Sequence, residues 1–239
     1  MNVVLVAGTQ ILDASAFDSV LFEPHRDASD AETVIEFAGR ECYGSFHRPT
    51  PATATIRGYL RNILESRHFS VLEHGTATFR FTGVSRSFTH ELIRHRHLSY
   101  SELSQRFVNM ENAEMIKPPA ISDAEWTQED CIWEGVEHLQ NAYVHLVKTL
   151  TARGLGRKQA REAARCVMPN MAETKIVVTG NFRAWRHFLH VRGSVHADAE
   201  IRAVAREVAS WLINFAPNVF QDVEVTADGV TVGHFEEDY

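Results

Sequence analysis

The chain has 239 residues, 44% of them hydrophobic and 23% charged, and a formal net charge of -7. This composition belongs to a soluble globular protein long enough to bury a core without disulfide or metal staples. The acidic balance argues against general binding to nucleic acid or to anionic membranes, so an anionic ligand has to be met by local charge.

Residues 2–7 are β-branched and apolar and predict a buried first strand. They lack the basic region of a signal peptide, and no stretch of the chain is long and apolar enough to span a bilayer. Ser29 and Asp30 precede a helical pattern through Val34, Ile35, Phe37 and Ala38. Gly44, Pro49 and Pro51 mark a loop. A second helix is predicted from Thr53 to about Arg67, with Ile56, Leu60, Ile63 and Leu64 on one face.

Residues 76–84 alternate at strand period, placing Ala77, Phe79 and Phe81 on one face, with Gly83 in phase. Ser85 or Ser87 caps the helix that follows, in which Phe88 and Leu92 face inward and Arg94, His95 and Arg96 occupy the last turn. After Pro118-Pro119, Ser122, Asp123 and Glu125 open a long helix with Ile132, Val136, Leu139, Tyr143, Leu146, Val147 and Leu150 inward, stopping near Gly154. Trp126 and Trp133 are packing residues of that region.

A basic helix is predicted over residues 157–168, ended by Pro169. Thr174–Thr179 reads as a strand, and Gly180-Asn181 leads into a helix carrying Trp185, Phe188 and Leu189. A last helix, about 197–215, carries Ile201, Val204, Val208, Trp211, Leu212 and Phe215, and the terminal Glu-Glu-Asp-Tyr frays. No repeat or linker interrupts the chain. Few strands separated by long helices predict an α+β fold with a mixed sheet, as a single compact domain over residues 1–239, with a core to about 220 and a tail over 221–239.

The chemistry concentrates in residues 91–106, where three arginines, two histidines, two carboxylates, a tyrosine and three serines fall within sixteen residues. Two readings stand side by side: an exposed basic helix end, or an anion site with serine hydroxyls as additional donors. Two more basic clusters follow. One is Arg157, Lys158, Arg161 and Arg165, with Arg161 and Arg165 four apart on one face. The other runs from Asn181 to Arg192. Three such clusters in an acidic chain favour a phosphorylated small ligand.

Competing chemistries are weaker. Gly154-Leu-Gly156 follows a helix and lacks a third glycine, which excludes a dinucleotide fingerprint. The histidine pairs His95/His97 and His187/His190 complete no metal-ligand pattern, so no metal is expected. Cys42, Cys131 and Cys166 are odd in number, far apart and without a CxxC, as for reduced thiols in the cytoplasm. Cys166, beside Arg165, is the best placed as a nucleophile, against the reading of an inert, semi-buried thiol. Ser104, between Glu102 and Arg106, is open to reading as a nucleophile or as a phosphate-binding hydroxyl; no Gly-x-Ser-x-Gly elbow supports the former.

Arg94-His95-Arg96, seven residues and then Ser104 resembles the RHR-x7-S signature of the flavin-dependent thymidylate synthases. The extended form, Arg-His-Arg-x-x-Ser-x-x-Glu-x-Ser-x-Arg, is matched from Arg94 to Arg106, through Ser99 and Glu102. His68-Phe-Ser70-Val-Leu-Glu73-His74 and Asn181-Phe-Arg183 through Arg192 are similar to two further segments of that family, and the likeness runs from about residue 40 to 220.

The resemblance implies a homotetramer with active sites shared between subunits. It implies reductive methylation of dUMP to dTMP, with carbon from 5,10-methylenetetrahydrofolate and electrons from NADPH through FAD. It places Glu91, Leu92, Ile93, Arg94, Ser104, Gln105, Arg106 and Arg165 at dUMP, with Arg192 polarising N3 of the uracil. It assigns Ser70, Arg94, His95, Arg96, Glu102, Asn181, Arg183 and His187 to FAD. Under this resemblance Ser104 binds rather than attacks. Two positions depart from the family pattern: Glu91, where some relatives carry Gln, and His187, where others carry Asn.

Overall fold

The computed structural model describes residues 1–121, 123 and 131–234. The expected helix start at Ser122 and Glu125, Trp126 and the terminal Glu-Glu-Asp-Tyr lie outside the described residues. The fold mixes helix and sheet, as expected, with strands in the order β1-β2-β4-β3: β1 Asn2–Gly8, β2 Thr76–Ser85, β3 Leu98–Glu102 and β4 Glu173–Asn181. The chain forms two compact units. The first holds Met1–Asn2, Phe81–Arg94 and Ser101–Val177, and the second Val3–Arg80, His95–Tyr100 and Val178–Tyr239.

In the first unit, Phe81 packs on Phe88 of α4 (Arg86–Leu92), with ring centres 5.8 Å apart. Gly83 is not in phase with the strand. Its φ of 64° belongs to the left-handed region, and beyond it the alternation shifts so that Val84 and Ser85 are both buried. Ser85, rather than Ser87, caps α4 by accepting from the Phe88 N–H at 3.1 Å. The Arg86 and Ser87 N–H groups donate to the carbonyls of Ala172 and Asn170, which fixes the start of α4 against residues 170–172.

The helix ends at Leu92, so Arg94 lies past it rather than in its last turn. α5 (Cys131–Ala152) buries Val136 and Tyr143 fully, while Ile132, Trp133, Leu139, Leu146, Val147 and Leu150 are half-buried. Tyr143, Met110 and Ala164 form a small core, and the Tyr143 hydroxyl accepts from the Met110 N–H at 3.2 Å. α6 (Arg157–Ala164) gives way to a 3-10 turn over Arg165–Val167, so the basic helix stops well before Pro169.

In the second unit, β1 is an edge strand in which only Val3 is buried, and Val6 is 57% exposed. The expectation of a buried strand fails because an edge strand of this sheet has a covered face only at Val3. α1 (Ser15–Asp18) leads to α2 (Asp30–Tyr43), which opens with a capping box between Ser29 and Glu32. Beside Ala31 and Ile35 it buries polar side chains as well. Glu32, Glu36 and Arg40 follow at four-residue spacing; Arg40 bonds Glu36 at 2.8 Å, and Glu32 accepts from the Asn218 N–H at 2.6 Å.

α3 (Ile56–Glu65) buries Ile56, Leu60, Ile63 and Leu64 as its periodicity predicts. α7 (Phe182–Arg192) buries Trp185, Phe188 and Leu189, and the Trp185 indole donates to the Ala77 carbonyl at 3.0 Å. α8 (Ala199–Phe215) buries Ile201, Val204, Val208 and Leu212. Trp211 is 40% exposed, with its N–H on the Val3 carbonyl. Residues of the predicted tail form an antiparallel hairpin, β5 (Val223–Val225) with β6 (Val230–Val232), pairing Val223 with Val232. It is anchored by Asp222, which receives Arg186 through two bonds of 2.8 Å.

Candidate functional site

The first unit carries a cavity of about 350 Å³ lined by Arg86, His90, Gln105, Glu162, Arg165, Cys166 and Asn170, among others. That size suits a small-molecule site. α4 supplies Arg86 and His90, four residues apart on one face. The turn after β3 supplies Gln105, and the 3-10 turn after α6 supplies Arg165 and Cys166.

Glu102 fixes Arg86. Its Oε1 accepts from the Arg86 guanidinium at 2.8 Å, the Thr89 hydroxyl at 2.9 Å and the Thr174 hydroxyl at 3.0 Å. One carboxylate oxygen therefore ties α4 and β4 to the end of β3 and orients a cation at the cavity. Gln105 is only 7% exposed, and its side-chain amide makes no hydrogen bond among the described residues. An amide on a cavity wall without a protein partner can both donate to and accept from a polar ligand.

The remaining cations divide. Arg106 Nε lies 2.8 Å from Glu162 in a half-exposed ion pair. Arg161 donates to the Phe107 carbonyl at 2.5 Å, and Lys158 stands over the Phe107 ring at 4.9 Å. Arg161 thus holds the 104–108 turn, and Arg165 lines the cavity. Ser104 closes that turn by accepting from the Phe107 and Val108 N–H groups. Of the residues expected at dUMP, Gln105 and Arg165 line the cavity, and Arg106 pairs with a residue that lines it. Leu92 is buried, Ile93 and Arg94 are exposed, and Glu91 is half-buried. Sequence reasoning did not single out Arg86, His90 or Asn170. The signal available was the spacing of Arg86, His90 and Arg94 at every fourth residue.

The second unit carries the other group. Arg192 Nε–H donates to His95 Nε2 at 3.0 Å. An acceptor at Nε2 requires a neutral ring with its proton on Nδ1. Burial, then the charge of Arg192 and of His187, pushes the His95 pKa down to about 4, in agreement with that tautomer. The His95 carbonyl accepts from the Tyr100 hydroxyl at 2.6 Å, and burial raises the Tyr100 pKa, which keeps the phenol a donor.

The His187 ring stands 5.6 Å from His95, edge to face. Its pKa is lowered by burial, then by His190, His97 and Arg192. Asn181 caps α7 through its side-chain oxygen, accepting from the Ala184 N–H at 2.8 Å. Arg183 pairs with Glu73, which joins the segments 68–74 and 181–192. Ser70 and Arg96 are exposed. Arg186 is 3% exposed and held by Asp222 and by the carbonyls of Val219 and His234. This arginine of the third basic cluster is structural.

The donor set of this unit suits a flavin dinucleotide. A flavin dinucleotide held here would meet charge for its pyrophosphate at the exposed Arg96 and at the half-buried Arg183, which is paired with Glu73, and neutral imidazoles as hydrogen-bond partners for its ring. Cys42 and Cys166 are free and exposed, which corrects the semi-buried reading of Cys166; the cavity mouth leaves it uncovered. Among the described residues no group of His, Cys, Asp and Glu is arranged to hold a metal, and no helix is long and apolar enough to cross a membrane.

A family model described as thymidylate synthase complementing protein matches residues 26–218. The flavin-dependent thymidylate synthase of Mycolicibacterium vanbaalenii is 50% identical over 215 residues, covering 86% of each chain. Those of Mycobacterium tuberculosis and Mycobacterium marinum stand at the same identity and coverage. With a family match over most of its length and relatives at half identity, the chain belongs to the flavin-dependent thymidylate synthase family.

Proposed function

We propose that the protein converts dUMP to dTMP. It takes the methylene carbon from 5,10-methylenetetrahydrofolate and two electrons from NADPH. Family membership carries this reading. The atoms balance as follows: the methylene carbon bonds to C5 of the uracil, the C5 hydrogen leaves as a proton, a hydride completes the methyl group, and tetrahydrofolate departs. FAD, when bound, relays the two electrons from NADPH to that carbon.

The cavity of the first unit is the proposed nucleotide site. Arg165 and Arg86 offer charge to the phosphate, and the Gln105 amide supplies a directed hydrogen bond. Glu91, Leu92, Ile93, Arg94, Ser104 and Arg106 complete the proposed dUMP set. In that set Leu92 acts through its backbone, because its side chain is buried. Ser70, Arg94, His95, Arg96, Glu102, Asn181, Arg183 and His187 are the proposed flavin residues.

Arg192 is the proposed catalytic residue. A fixed guanidinium facing N3 of the ring stabilises the negative charge that makes C5 nucleophilic. Its Nε–H is committed to neutral His95, which sets the plane of the guanidinium. The protein works in the cytoplasm as a homotetramer with shared sites, each chain acting as one functional domain over residues 1–239. The family match spans residues of both units, which supports one functional domain, and the half-buried apolar stripe of α5 suits a subunit contact.

Release of tritium from 5-tritiated dUMP by flavin-loaded protein, given NADPH and methylenetetrahydrofolate, tests the activity. Arg192→Ala is expected to keep its flavin spectrum while losing about 100-fold or more in turnover, the scale of a lost transition-state donor. Full activity in that variant would remove Arg192 from the mechanism.

A further inference from the structure

We infer that Cys166 is a thiol–disulfide exchange site through which an anionic low-molecular-mass disulfide shuts the cavity of the first unit. The inference rests on the reading of that cavity as the nucleotide site. Cys166 is a free, exposed cysteine on the 3-10 turn Arg165–Val167, and it lines the cavity together with Arg86, His90 and Arg165. Gln105 lines the same space. It is 7% exposed, with a side-chain amide that makes no hydrogen bond among the described residues, so the cavity is built to receive a polar ligand next to the thiol.

The carboxylate that lines the cavity, Glu162, is paired with Arg106, and Arg86 is oriented by Glu102. The lining guanidinium groups of Arg86 and Arg165, which attract a phosphate, also attract the carboxylates of an anionic disulfide. Cys42, the other exposed free cysteine among the described residues, follows Glu41 at the end of α2 and lies next to a carboxylate in sequence. It serves as an internal comparator.

In the exchange the Cys166 thiolate attacks one sulfur of the disulfide. A new sulfur–sulfur bond forms as the old one breaks, the other half leaves as a thiolate, and the Cys166 proton goes to water. The Cys166 sulfur is oxidised to the disulfide level and the departing sulfur is reduced. The attached group then occupies the space where the nucleotide binds, until a dithiol removes it.

The test incubates the flavin-loaded protein with oxidised glutathione, which is anionic, or with hydroxyethyl disulfide, which is neutral, each with and without saturating dUMP. Peptide mass spectrometry reads the modification rates at Cys166 and Cys42, and equilibrium dialysis reads dUMP affinity. The expected result is at least about a tenfold preference for the anionic reagent at Cys166 but not at Cys42. Saturating dUMP protects Cys166 about tenfold, and the modified protein loses at least about tenfold in dUMP affinity, restored by dithiothreitol. Cys166→Ser, whatever its own turnover, no longer responds to the disulfide, whereas Cys42→Ser still does.

Equal modification of Cys166 and Cys42 by oxidised glutathione, with dUMP still bound, overturns the thiol site and leaves the nucleotide assignment standing. Preferential modification of Cys166 that dUMP does not slow, and that leaves dUMP affinity intact, overturns the nucleotide assignment and with it the proposed shutting of the site.

Discussion

Glu102→Ala is the most informative single change, because one carboxylate oxygen holds three partners from two other elements. The substitution removes an ionic bond to Arg86 at 2.8 Å and leaves the buried Thr174 hydroxyl without its acceptor. Thr89 also loses a bond of 2.9 Å but keeps its contact to the Arg86 carbonyl. Hydrogen bonds to a charged group contribute about 1.5–3 kcal/mol each. The Arg86 pair is 23% exposed on both sides, which reduces its share through solvent screening.

The expected loss is about 3–5 kcal/mol, or a fall in Tm of roughly 6–20 °C at about 2–4 °C per kcal/mol for a chain of this size. Glu102→Gln keeps the size and an acceptor but loses the charge, and falls by about half as much. With Arg86 no longer oriented, the KM for dUMP should also rise by about tenfold in Glu102→Ala, equivalent to about 1.4 kcal/mol of binding, and by less in Glu102→Gln, which keeps an acceptor. Differential scanning calorimetry and initial-rate kinetics read the two effects. A Tm within about 2 °C of the parent in Glu102→Ala would refute the claim that this carboxylate joins β3 to α4 and β4.

Three further outcomes follow from the same reasoning. His95 is held neutral when folded, with a pKa near 4 against about 6.5 for an unfolded histidine. The unfolded chain therefore binds the extra proton in that window, so the contribution is fully present above about pH 6.5 and is lost as pH falls toward 4. Urea unfolding at pH 7 and pH 5 should differ by about 2 kcal/mol more in the parent than in His95→Gln, and an identical pH slope in the two proteins would contradict the assignment. Arg186→Ala strands Asp222 and two carbonyls in the second unit and should cost about 3–5 kcal/mol, read as loss of soluble protein or of Tm; an unchanged Tm would show that the hairpin is anchored otherwise. Ser85→Ala removes the cap of α4 and should cost about 1 kcal/mol, with faster amide exchange over residues 86–89 as its local signature.

What the sequence made legible is what apolar spacing encodes. α3, α7 and α8 and the first part of β2 appear where their periodicity puts them, and the caps at Ser29, Ser85 and Asn181 were readable from residue type. β3 was hidden because only Leu98 is buried in an edge strand that otherwise reads Ser-Tyr-Ser-Glu, which has the composition of a loop. The hairpin β5–β6 escaped because each strand is three residues long. On α2 the apolar pattern placed Ile35 inward, as observed, but the helix also buries Glu32, Glu36 and Arg40, a polar stripe that a hydrophobic pattern cannot reveal.

The candidate site divides in the same way. Basic spacing and the family signature pointed to Gln105, Arg165, His95 and Arg192. Spacing alone gave no means of separating Arg186, which holds Asp222, from Arg192, which holds His95. Arg86 gained its significance only through Glu102, sixteen residues away.

The central claim is that the electrons of methylation come from NADPH rather than from the folate ring. The most direct measurement follows dTMP, NADPH and the folate product together, in purified flavin-loaded protein given dUMP and 5,10-methylenetetrahydrofolate. The account predicts one NADPH consumed and one tetrahydrofolate released for each dTMP formed. Formation of dTMP with dihydrofolate as product and no NADPH consumed would contradict it.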